Sequence, residues 1–573
     1  MAETLETSVL IVGGGPVGLA LAVDLGWRGI DCLLIDQNDG KVLLPRASGI
    51  SARTMEFCRR WDIADQVRAA GFPLDYGLDI VYCTSLAGHF LERQEYPPLQ
   101  AMKPLPFSPE NKHRCPQHMF DPVLERVARG YANVKLRREC RLEAFEETTG
   151  GVTAHVRRLA SAGAYDFSAE SFAVRAGAPL QAQNTAAGEL FTVRARYLVA
   201  CDGVDSGVRG ALNIGLEGQP VLSYSVSALL RSPMLQRRHD KGDAERYIFV
   251  GTEGVWGNLT VVDGRQDWRL TIAGSEQKMD LKNLDMAAHI RRCFGTDDFP
   301  FEITAITPWR RRQLVAKQFR HGRVFLAGDA VHAMSPTGGF GAGTGVGDSV
   351  DLGWKLEAML RGWGGSGLMD SYEPERRPIG VRNAAAAANN FKPWLVKMDF
   401  SKVLEDSAAG ADARAKIGPA LKESFLGEWE TWGTTMGYRY EGSPICVADG
   451  TPVSPDNQML YVQSARPGSR APHAWLKDGR STLDLFGRGF VLLRFGAAAP
   501  DAAPLDEAAR RRGVPLKVVT VDQPEVAALY ERRLALVRPD GHVAWRGEQI
   551  PTDAVALVDT VRGALIGNSV RNS

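Results

Sequence analysis

The stretch that decides the fold runs from Ser8 to Gln37 and reads SVLIVGGGPVGLALAVDLGWRGIDCLLIDQ. Its continuous apolar run Val9–Val12 predicts a strand that is buried on both faces. A GxGxxG pattern follows, then apolar residues at helical spacing, then a second apolar run that ends at Asp36. Strand, glycine turn, helix, strand and terminal acid together predict a dinucleotide-binding βαβ unit.

The glycines of this unit have the spacing that a pyrophosphate requires. Gly13 makes the tight turn, Gly15 lets backbone amides reach the phosphates, and Gly18 lets helix and strand pack closely. The N-terminus of the following helix adds partial positive charge. Asp36 is placed to accept hydrogen bonds from a ribose hydroxyl. The pattern does not separate NAD(P) from FAD.

The composition is that of an ordinary globular protein. A chain of 573 residues exceeds one typical core, so we expect about two to four domains. Hydrophobic residues make up 44% and charged residues 24%, and no apolar window of about 18 residues predicts a transmembrane span. The net charge of +1 gives no electrostatic reason to expect a nucleic acid or an anionic membrane as partner.

The cysteines, histidines and N-terminus favour a cytoplasmic protein without a metal. The eight cysteines are scattered, with no CxxC pair, and we interpret them as reduced thiols. The ten histidines form no HxxxH or HExxH pattern, so we expect no metal site. The N-terminus enters a strand pattern directly and lacks the basic region of a signal peptide.

Two further motifs place an acid at the end of a buried strand. RYLVACDGVDSGVRGAL (196–212) has Asp202 there, although a plain turn between strand and helix explains this segment equally well. GRVFLAGDAVHAMSPTGGFGAGTGVGDSVDLGWKLEAML (322–360) has Asp329 there, followed by a glycine-rich segment and a helix with an apolar packing stripe. Asp202 lies where open α/β sheets bind their ligands, and an acid at the position of Asp329 could bind a ribose or ribityl hydroxyl. For His332 we expect a structural role in the loop.

Three motifs in this order resemble the single-component flavoprotein aromatic hydroxylases, the family of para-hydroxybenzoate hydroxylase and phenol hydroxylase. They are GGGPVG (13–18), CDGVDSGVR (201–209) and AGDAVHAMSPTGGFGAGTGVGDSVDLGWKL (327–356). The resemblance covers about residues 5–395. Residues 466–496 resemble, more weakly, the thioredoxin-like appendix of the phenol and polyketide hydroxylase branches, which lacks the CxxC motif.

The resemblance implies an α/β fold, in which a Rossmann-like FAD-binding domain is interleaved with a β-sheet substrate domain. A thioredoxin-like domain without CxxC follows; it is structural or involved in self-association, so a homodimer stays open. The boundaries we predict are 1–78, 115–215 and 310–395 for the FAD-binding domain, 79–114 and 216–309 for the substrate domain, 396–454 for a helical connection and 455–573 for the thioredoxin-like domain. Within this layout, 157–199 reads as a hairpin elaboration or a mobile surface insertion.

The resemblance also assigns roles to individual residues. The expected FAD-binding residues are Gly13, Gly15, Pro16 and Gly18 at the pyrophosphate, Asp36 at the adenosine ribose, Arg46 and Gln117 at the pyrophosphate and ribityl region, Asp202 near FAD and NAD(P)H, Asp329 at the ribityl chain, and Gly339, Gly341, Ala342, Gly343 and Thr344 at the pyrimidine edge of the flavin. Amides of this last segment can stabilise negative charge on the reduced ring. The family commonly has Asn at the position of Gly343, so one side-chain contact is missing here.

The reacting side of the flavin and the substrate pocket have candidates of their own. Pro336 is expected against the reacting edge of the ring, and we count Pro336 and Gly341 as catalytic. Phe340 is expected on the substrate side. Trp256 and Asn258 lie in a strand-like segment that would form a roof over the flavin. Ordinary sheet packing explains these strand residues equally well.

The implied activity is the hydroxylation of a phenolic substrate with NAD(P)H and O2, through a flavin C4a-hydroperoxide. Because the flavin carries the chemistry, neither a nucleophile motif nor a metal motif is needed. Two alternatives stay open: epoxidation or Baeyer–Villiger oxygenation of a polyketide or larger aromatic compound, and a flavin-dependent reductase that uses no O2.

Overall fold

The computed structural model describes residues 3–42, 45, 47–159, 188–235, 238–297 and 299–565. The strands are β1 (Thr4–Val12), β2 (Cys32–Ile35), β3 (Gly49–Ile50), β4 (Ile80–Cys83), β5 (Phe90–Gln94), β6 (His113–Arg114), β7 (Val134–Arg137), β8 (Cys140–Glu147), β9 (Val152–Arg158), β10 (Leu190–Ala200), β11 (Leu216–Arg231), β12 (Arg246–Gly251), β13 (Gly254–Val261), β14 (Asp267–Ser275), β15 (Glu302–Ala316), β16 (Arg320–His321), β17 (Val324–Leu326), β18 (His332–Ala333), β19 (Phe490–Phe495), β20 (Leu516–Val521), β21 (Leu534–Val537) and β22 (Val543–Gly547). The helices are α1 (Pro16–Arg28), α2 (Ala52–Arg60), α3 (Ala64–Arg68), α4 (Gln117–Gly130), α5 (Gly207–Ala211), α6 (Met286–Phe294), α7 (Phe340–Leu360), α8 (Tyr372–Asn389), α9 (Ala408–Trp429), α10 (Trp432–Met436), α11 (Ala503–Arg511), α12 (Pro524–Tyr530) and α13 (Ala554–Val561). No helix in these ranges is both long and apolar enough to cross a lipid bilayer.

The first sheet is the predicted nucleotide-binding sheet. Its strands lie in the order β16-β17-β10-β1-β2-β7, and β17, β10, β1, β2 and β7 run parallel. The apolar runs of β1 and β2 are buried because helices cover both faces of a parallel sheet. Helix α1 begins with Pro16 and ends at Gly29, whose φ of 72° is left-handed. The βαβ unit predicted from the sequence is therefore confirmed.

A hairpin extends this sheet where the sequence predicted an insertion. Strand β9 pairs antiparallel with β10, and β8 pairs antiparallel with β9. Residues 160–187, between β9 and β10 in the sequence, lie outside the described residues. The prediction of a mobile insertion there stays a prediction.

The second sheet combines strands from two separated parts of the chain, as the interleaved domain requires. Its order is β18-β15-β11-β14-β13-β12-β4-β5. One face packs an apolar cluster against α6, and α9 covers part of the other face near β4 and β5. Strand β15 continues this sheet to Ala316, so a domain boundary at residue 309 would cut the strand.

The third sheet forms the thioredoxin-like C-terminal domain, with strand order β20-β19-β21-β22. Strand β19 alternates: Phe490 and Leu492 face one apolar cluster, whereas Val491 and Leu493 face another. The first cluster also contains Trp354 from α7. The C-terminal domain therefore shares a hydrophobic core with the nucleotide-binding domain.

Candidate active site

The first glycine loop has no room for a side chain at Gly13 or Gly18, but it is open at Gly15. Gly13 has a φ of +109°, and a Cβ atom there would lie 2.3 Å from the carbonyl oxygen of Cys201. A Cβ atom on Gly18 would lie 1.9 Å from the carbonyl oxygen of Gly13. At Gly15, the N-cap of α1, no other atom lies within 4 Å of the Cβ position. The N-terminus of α1 is therefore open and suited to an anion.

Asp36 lies beside this loop, at the end of β2. Its carboxylate accepts hydrogen bonds from the amides of Gly14 and Asn38, the latter at 2.6 Å. Arg138 lies 3.7 Å from the same carboxylate. These contacts hold the loop against the sheet, and the ribose contact of Asp36 stays a prediction.

Gln117, the first residue of α4, contacts Asp121, an acid that was not predicted from the sequence. Its side chain donates to Asp121 at 3.0 Å, and its backbone amide donates to Ala47. Burial raises the pKa of Asp121 to about 7, although Gln117 partly offsets the rise. The spacing of four residues on one helix could have indicated this pair. Arg46 lies outside the described residues.

Two acids at the ends of parallel strands border the same groove. The Oδ2 atom of Asp202 accepts from the Val208 amide at 3.1 Å, whereas its Oδ1 atom has no hydrogen-bond partner among the described residues. Burial raises the pKa of Asp202. Asp329 is exposed, and a Cβ atom on Gly341 would lie 3.9 Å from its Oδ1 atom. Asp329 therefore faces the first turn of α7.

The second glycine loop is a tight turn that opens into α7. Gly338 and Gly339 have φ values of +86° and +69°, and Pro336, which is exposed, accepts a hydrogen bond from Gly339 at 3.1 Å. The first turn of α7 includes Gly341, Ala342 and Gly343, all half-buried. The amides of a first turn have no partner within the helix, so they are available to a ligand.

Two residues of this helix are held by the protein itself. The hydroxyl of Thr344 donates to the Phe340 carbonyl at 2.8 Å and accepts from Asn383 at 2.9 Å. The ring of Phe340 is 3% exposed and packs against Ala386 and Ala387. We therefore leave Phe340 out of the substrate-binding set that we propose below.

A buried carboxylate ties both strand-end loops to α7. Asp348 accepts from the Gly328 amide at 2.9 Å and from Arg376 Nε at 2.8 Å, and it lies 2.8 Å from His332 Nε2. Burial alone would raise the pKa of Asp348, but His332 and Arg376 bring it below its ordinary value. His332 thus has a structural position in the loop, and its full burial separates it from any substrate.

Polar residues line one face of the second sheet, where they are buried or half-buried. We call this surface the polar sheet face; it comprises Ser223, Ser225, Ser227, Asn258, Thr260, Thr271, Arg246, Arg269 and Arg311. Ser227 lies 2.9 Å from Thr271 and accepts from Trp309 at 2.9 Å, and Thr260 donates to Asn258 at 3.1 Å. The predicted residue Asn258 therefore lies on this face. The serines at every second position of β11 could have indicated it from sequence.

Trp256 lies on the opposite face. Between β12 and β13 the register shifts, so that Gly257 pairs with Phe249 and Val255 pairs with Val250. Trp256 is the extra residue of this bulge. Its ring stacks on Phe249 at 5.3 Å and lies 4.2 Å from the Arg292 guanidinium of α6. The sheet separates Trp256 from the polar sheet face, so we leave it out of the proposed set.

Two arginines of the polar sheet face contact segments near α2 and the second glycine loop. Arg269 donates to the Pro45 carbonyl at 2.8 Å, beside the segment that leads to α2. Arg311 lies 4.4 Å from the ring of Phe391. Asn390 precedes Phe391, and its side-chain nitrogen lies 2.8 Å from the position that a Cβ atom on Gly338 would occupy. The Arg311 end of the polar sheet face therefore lies near the second glycine loop.

These arginines carry more positive charge than the nearby acids compensate. Arg246 pairs with Glu428 at 2.9 Å, but Arg269 and Arg311 form no ion pair with any described residue. Burial lowers the pKa of Arg311 to about 10, and burial together with Arg246 lowers that of Arg269 to about 10. Both remain charged at neutral pH, and the Nε atoms of all three have no hydrogen-bond partner among the described residues.

These features fit FAD. The open N-terminus of α1 suits its pyrophosphate, the unpaired oxygen of Asp202 and the exposed Asp329 suit hydroxyl donors, and the first turn of α7 suits the edge of a flat ring. The glycines at Gly13 and Gly15 keep the groove free of side chains.

Comparison with known proteins agrees with this geometry. Residues 6–387 match the family described as FAD binding domain, and residues 464–565 match the family described as aromatic-ring hydroxylase, C-terminal. The chain is 34% identical to a putative polyketide hydroxylase from Streptomyces halstedii, over 97% of this chain and 96% of that protein.

Two solved structures have the same architecture. The rebeccamycin biosynthetic enzyme RebC with reduced flavin superposes with a TM-score of 0.87 and 38% identity, covering 98% of this chain and 99% of that one. Aklavinone-11 hydroxylase in complex with FAD and aklavinone superposes with a TM-score of 0.78 and 27% identity, covering 97% and 99%.

Proposed function

Because this chain belongs to the FAD-dependent aromatic-ring hydroxylases, we propose that it hydroxylates a phenolic aromatic compound that carries an acidic group. NAD(P)H and O2 are the proposed co-substrates. Bound FAD supplies the redox chemistry, namely acceptance of a hydride and activation of oxygen. One atom of O2 enters the ring as a hydroxyl group, and the other leaves as water, formed with the hydride of NAD(P)H and one proton.

The observation that carries this proposal is the uncompensated charge on the polar sheet face. Arg311 donates to the Ser225 hydroxyl at 2.6 Å and Arg269 to the Pro45 carbonyl, but neither has a carboxylate partner in the described part of the chain. A cation withdrawn from water without an opposite charge is costly, and a ligand carboxylate would relieve that cost. Arg269 and Arg311 offer fork-shaped donors that match a carboxylate or a phenolate. The hydroxyl oxygens of Ser223 and Ser225 accept from Arg311, so their hydrogens can still be donated to further oxygen atoms of the same substrate.

The remaining site residues would orient the reactants. Amides of Gly341 and Gly343 would stabilise negative charge on the reduced ring, since donors aimed at a developing charge act without reorganising. Asp329 would bind the ribityl chain, and Pro336 would limit the space at the reacting edge. The polar sheet face would hold the substrate ring over that edge and exclude water. The form of activated oxygen that the family resemblance implies stays a prediction.

The proposal is tested with a matched pair of probes, 1-naphthol and 1-hydroxy-2-naphthoate, which differ by one carboxylate. We expect NAD(P)H oxidation and O2 uptake with both, with mass spectrometry showing one added oxygen atom and a preference for the carboxylate. In Arg269→Gln the preference should fall at least tenfold, through KM rather than kcat. The control is Arg231→Gln, an exposed arginine of the same sheet that pairs with Asp267.

Two outcomes contradict the proposal at different levels. If neither probe stimulates O2 uptake, hydroxylation of phenols is wrong for this chain. If both probes are hydroxylated equally well by the wild type and by Arg269→Gln, the acidic group is not recognised there.

A larger polyketide is the second candidate substrate, because the Streptomyces relative is named a putative polyketide hydroxylase. Epoxidation, Baeyer–Villiger oxygenation and ring hydroxylation all add one oxygen atom, so mass alone does not separate them. Product NMR does, because only hydroxylation keeps the aromatic ring intact and replaces one ring hydrogen.

A further inference from the structure

A buried cluster of charged side chains joins the C-terminal domain to α7 and α8. Arg538 follows β21 and is fully buried. Its guanidinium donates to Asp351 of α7 at 3.1 Å, to Glu375 of α8 at 3.0 Å and to Asp540 at 2.6 Å. Lys355 bonds the same Asp351 and Glu375 at 2.7 and 2.6 Å. The cluster thus fixes α7 against α8 with a cation that only the C-terminal domain supplies.

The balance of charge makes Arg538 essential to the cluster. Three carboxylates, Asp351, Glu375 and Asp540, face two cations, Lys355 and Arg538. Arg538 and Lys355 hold the pKa of Glu375 below its ordinary value in spite of its burial, whereas burial raises the pKa of Asp351. Without Arg538, Lys355 would be the one cation beside the carboxyl groups of Asp351, Glu375 and Asp540. Either α7 and α8 would then move apart, or the carboxyl groups would take up protons.

A second cluster lies nearer the predicted flavin edge and is connected to the first. Arg376, next to Glu375 on α8, donates to Asp348 at 2.8 Å and to the Thr344 carbonyl at 2.9 Å. The hydroxyl of Tyr440 lies 3.4 Å from Arg376, and the Tyr440 ring lies 4.9 Å from the Arg538 guanidinium. Tyr440 therefore connects the two clusters, because its ring contacts Arg538 and its hydroxyl group contacts Arg376.

We propose that the C-terminal domain positions FAD through Arg538, which holds α7 in the register and tilt that its first turn needs. Asp351 and Thr344 are seven residues apart on α7, which is about 10 Å along the axis. A rigid helix transmits a shift over that distance without loss. Arg538 is thus a positioning residue, and the inference rests on the proposed placement of FAD at the first turn of α7.

The test compares Arg538→Gln with Arg546→Gln in the full chain. Arg546 is equally buried in the same domain, but it pairs with Asp449 and Glu531 and contacts neither α7 nor α8. We expect Arg538→Gln to raise the Kd for FAD at least tenfold and to make the flavin midpoint potential more negative. Hydrogen exchange in residues 340–348 should accelerate. Arg546→Gln should keep the Kd for FAD within twofold of wild type, even if its Tm falls as far as that of Arg538→Gln.

Equal effects of the two substitutions on FAD binding and potential would overturn the proposal, because both would then report general destabilisation. Arg538→Lys should rescue part of the affinity, since it restores the charge without the fork. If Arg538→Gln does not fold, Tyr440→Phe provides the milder variant: it should accelerate exchange in residues 340–348, and unchanged exchange would contradict the proposal. Gly341→Val tests the FAD placement separately, because unchanged FAD affinity in that variant would refute the placement itself.

Discussion

Single residues of the first glycine loop fix both its backbone and its packing. Gly13 combines a φ of +109° with a Cβ position 2.3 Å from the Cys201 carbonyl oxygen. A side chain there would strain the backbone, and it would also clash with Cys201, the residue after β10. The loop therefore depends on glycine for its shape as well as for access to the ligand.

We expect Gly13→Ala to lower the free energy of unfolding by more than about 2 kcal/mol, because strain and overpacking add. The purified variant should contain little FAD. The matched control is Gly130→Ala, at the end of α4, where nothing lies within 4 Å of the Cβ position. Urea unfolding and flavin absorbance measure both effects, and a Gly13→Ala protein with full flavin content would contradict this prediction.

Asp121 is one residue that links stability to pH. Its pKa is about 7 in the folded protein, mainly because of burial, against an ordinary value of 3.8. Between these values the folded state keeps a proton that the unfolded state has released. The free energy of unfolding therefore falls as pH rises from about 4 to about 7, by at most about 4 kcal/mol.

Asp121→Asn should remove this dependence, because an amide does not titrate. We expect the free energy of unfolding of the variant, relative to that of wild type, to be higher at pH 8 than at pH 5. Urea unfolding of the holoprotein at both pH values measures this difference. A constant difference between the two proteins at both pH values would show that Asp121 does not carry the dependence.

At the scale of elements, α7 uses its glycines for two different purposes. Gly341 and Gly343 face the groove, and the nearest atoms to the Gly343 Cβ position are the hydroxyl groups of Thr54 at 3.4 Å and Ser51 at 3.5 Å. Gly345, in contrast, faces α1, and its Cβ position lies 2.4 Å from Val17. The Ser349 hydroxyl, one turn later, donates to the Val17 carbonyl. A glycine-rich segment is thus partly a ligand loop and partly a helix-packing surface.

We expect Gly345→Ala to destabilise the protein by about 1–3 kcal/mol, because α1 and α7 must move apart. Gly343→Ala, two residues earlier on the same helix, should leave the stability unchanged or slightly higher, since alanine is the better helix former. Thermal unfolding of the two variants measures the difference. Equal loss of Tm in both would indicate that the approach of α1 and α7 is looser than the structure shows.

The elements that sequence predicts well are those whose pattern is local. The βαβ unit and both strand-end acids, Asp202 and Asp329, are specified by runs of fewer than forty residues, in which apolar strands, glycine turns and acids follow one another. The contacts of Asp36 show the limit of this reasoning: its position at the end of β2 was predicted, whereas its bonds to the glycine loop depend on the fold.

The polar sheet face could not be predicted in the same way. Arg246, Arg269 and Arg311 come from three strands, and they share one face only because the register pairs Arg246 with Thr260, Thr260 with Arg269, and Arg311 with Ser223. Trp256 shows the converse, because alternation places it with Asn258 until the bulge in β13 turns it to the other face. Strand register and bulges are set by long-range pairing, which a single sequence does not reveal.

At the scale of the whole molecule, the thioredoxin-like domain is an integral part of the fold. Trp354, Trp363 and Leu368 pack in one cluster with Phe490 and Leu492 of the C-terminal sheet. Arg28 of α1 also donates to Glu357 at 2.8 Å and approaches the Arg488 carbonyl at 3.4 Å. Hydrophobic and polar contacts therefore both cross between the two domains.

A chain that ends after Gln463 should not give a soluble flavoprotein. Without the C-terminal domain, Trp354 and Trp363 would face water, and exposed apolar patches of this kind drive aggregation. The carboxylates Asp351 and Glu375 would also lose Arg538. We expect the truncated chain to aggregate, and any soluble fraction to lack FAD, as judged by size-exclusion chromatography with detection of flavin absorbance.

The full chain should accordingly unfold as one unit, because a shared core couples the two domains. Tryptophan fluorescence, which reports Trp354 and Trp363 among others, and flavin release should follow a single transition in urea. A soluble, monomeric 1–463 fragment that retains FAD, or two well-separated transitions in the full chain, would show that the nucleotide-binding domain is stable by itself. In that case the contacts between the domains would serve assembly rather than the flavin site.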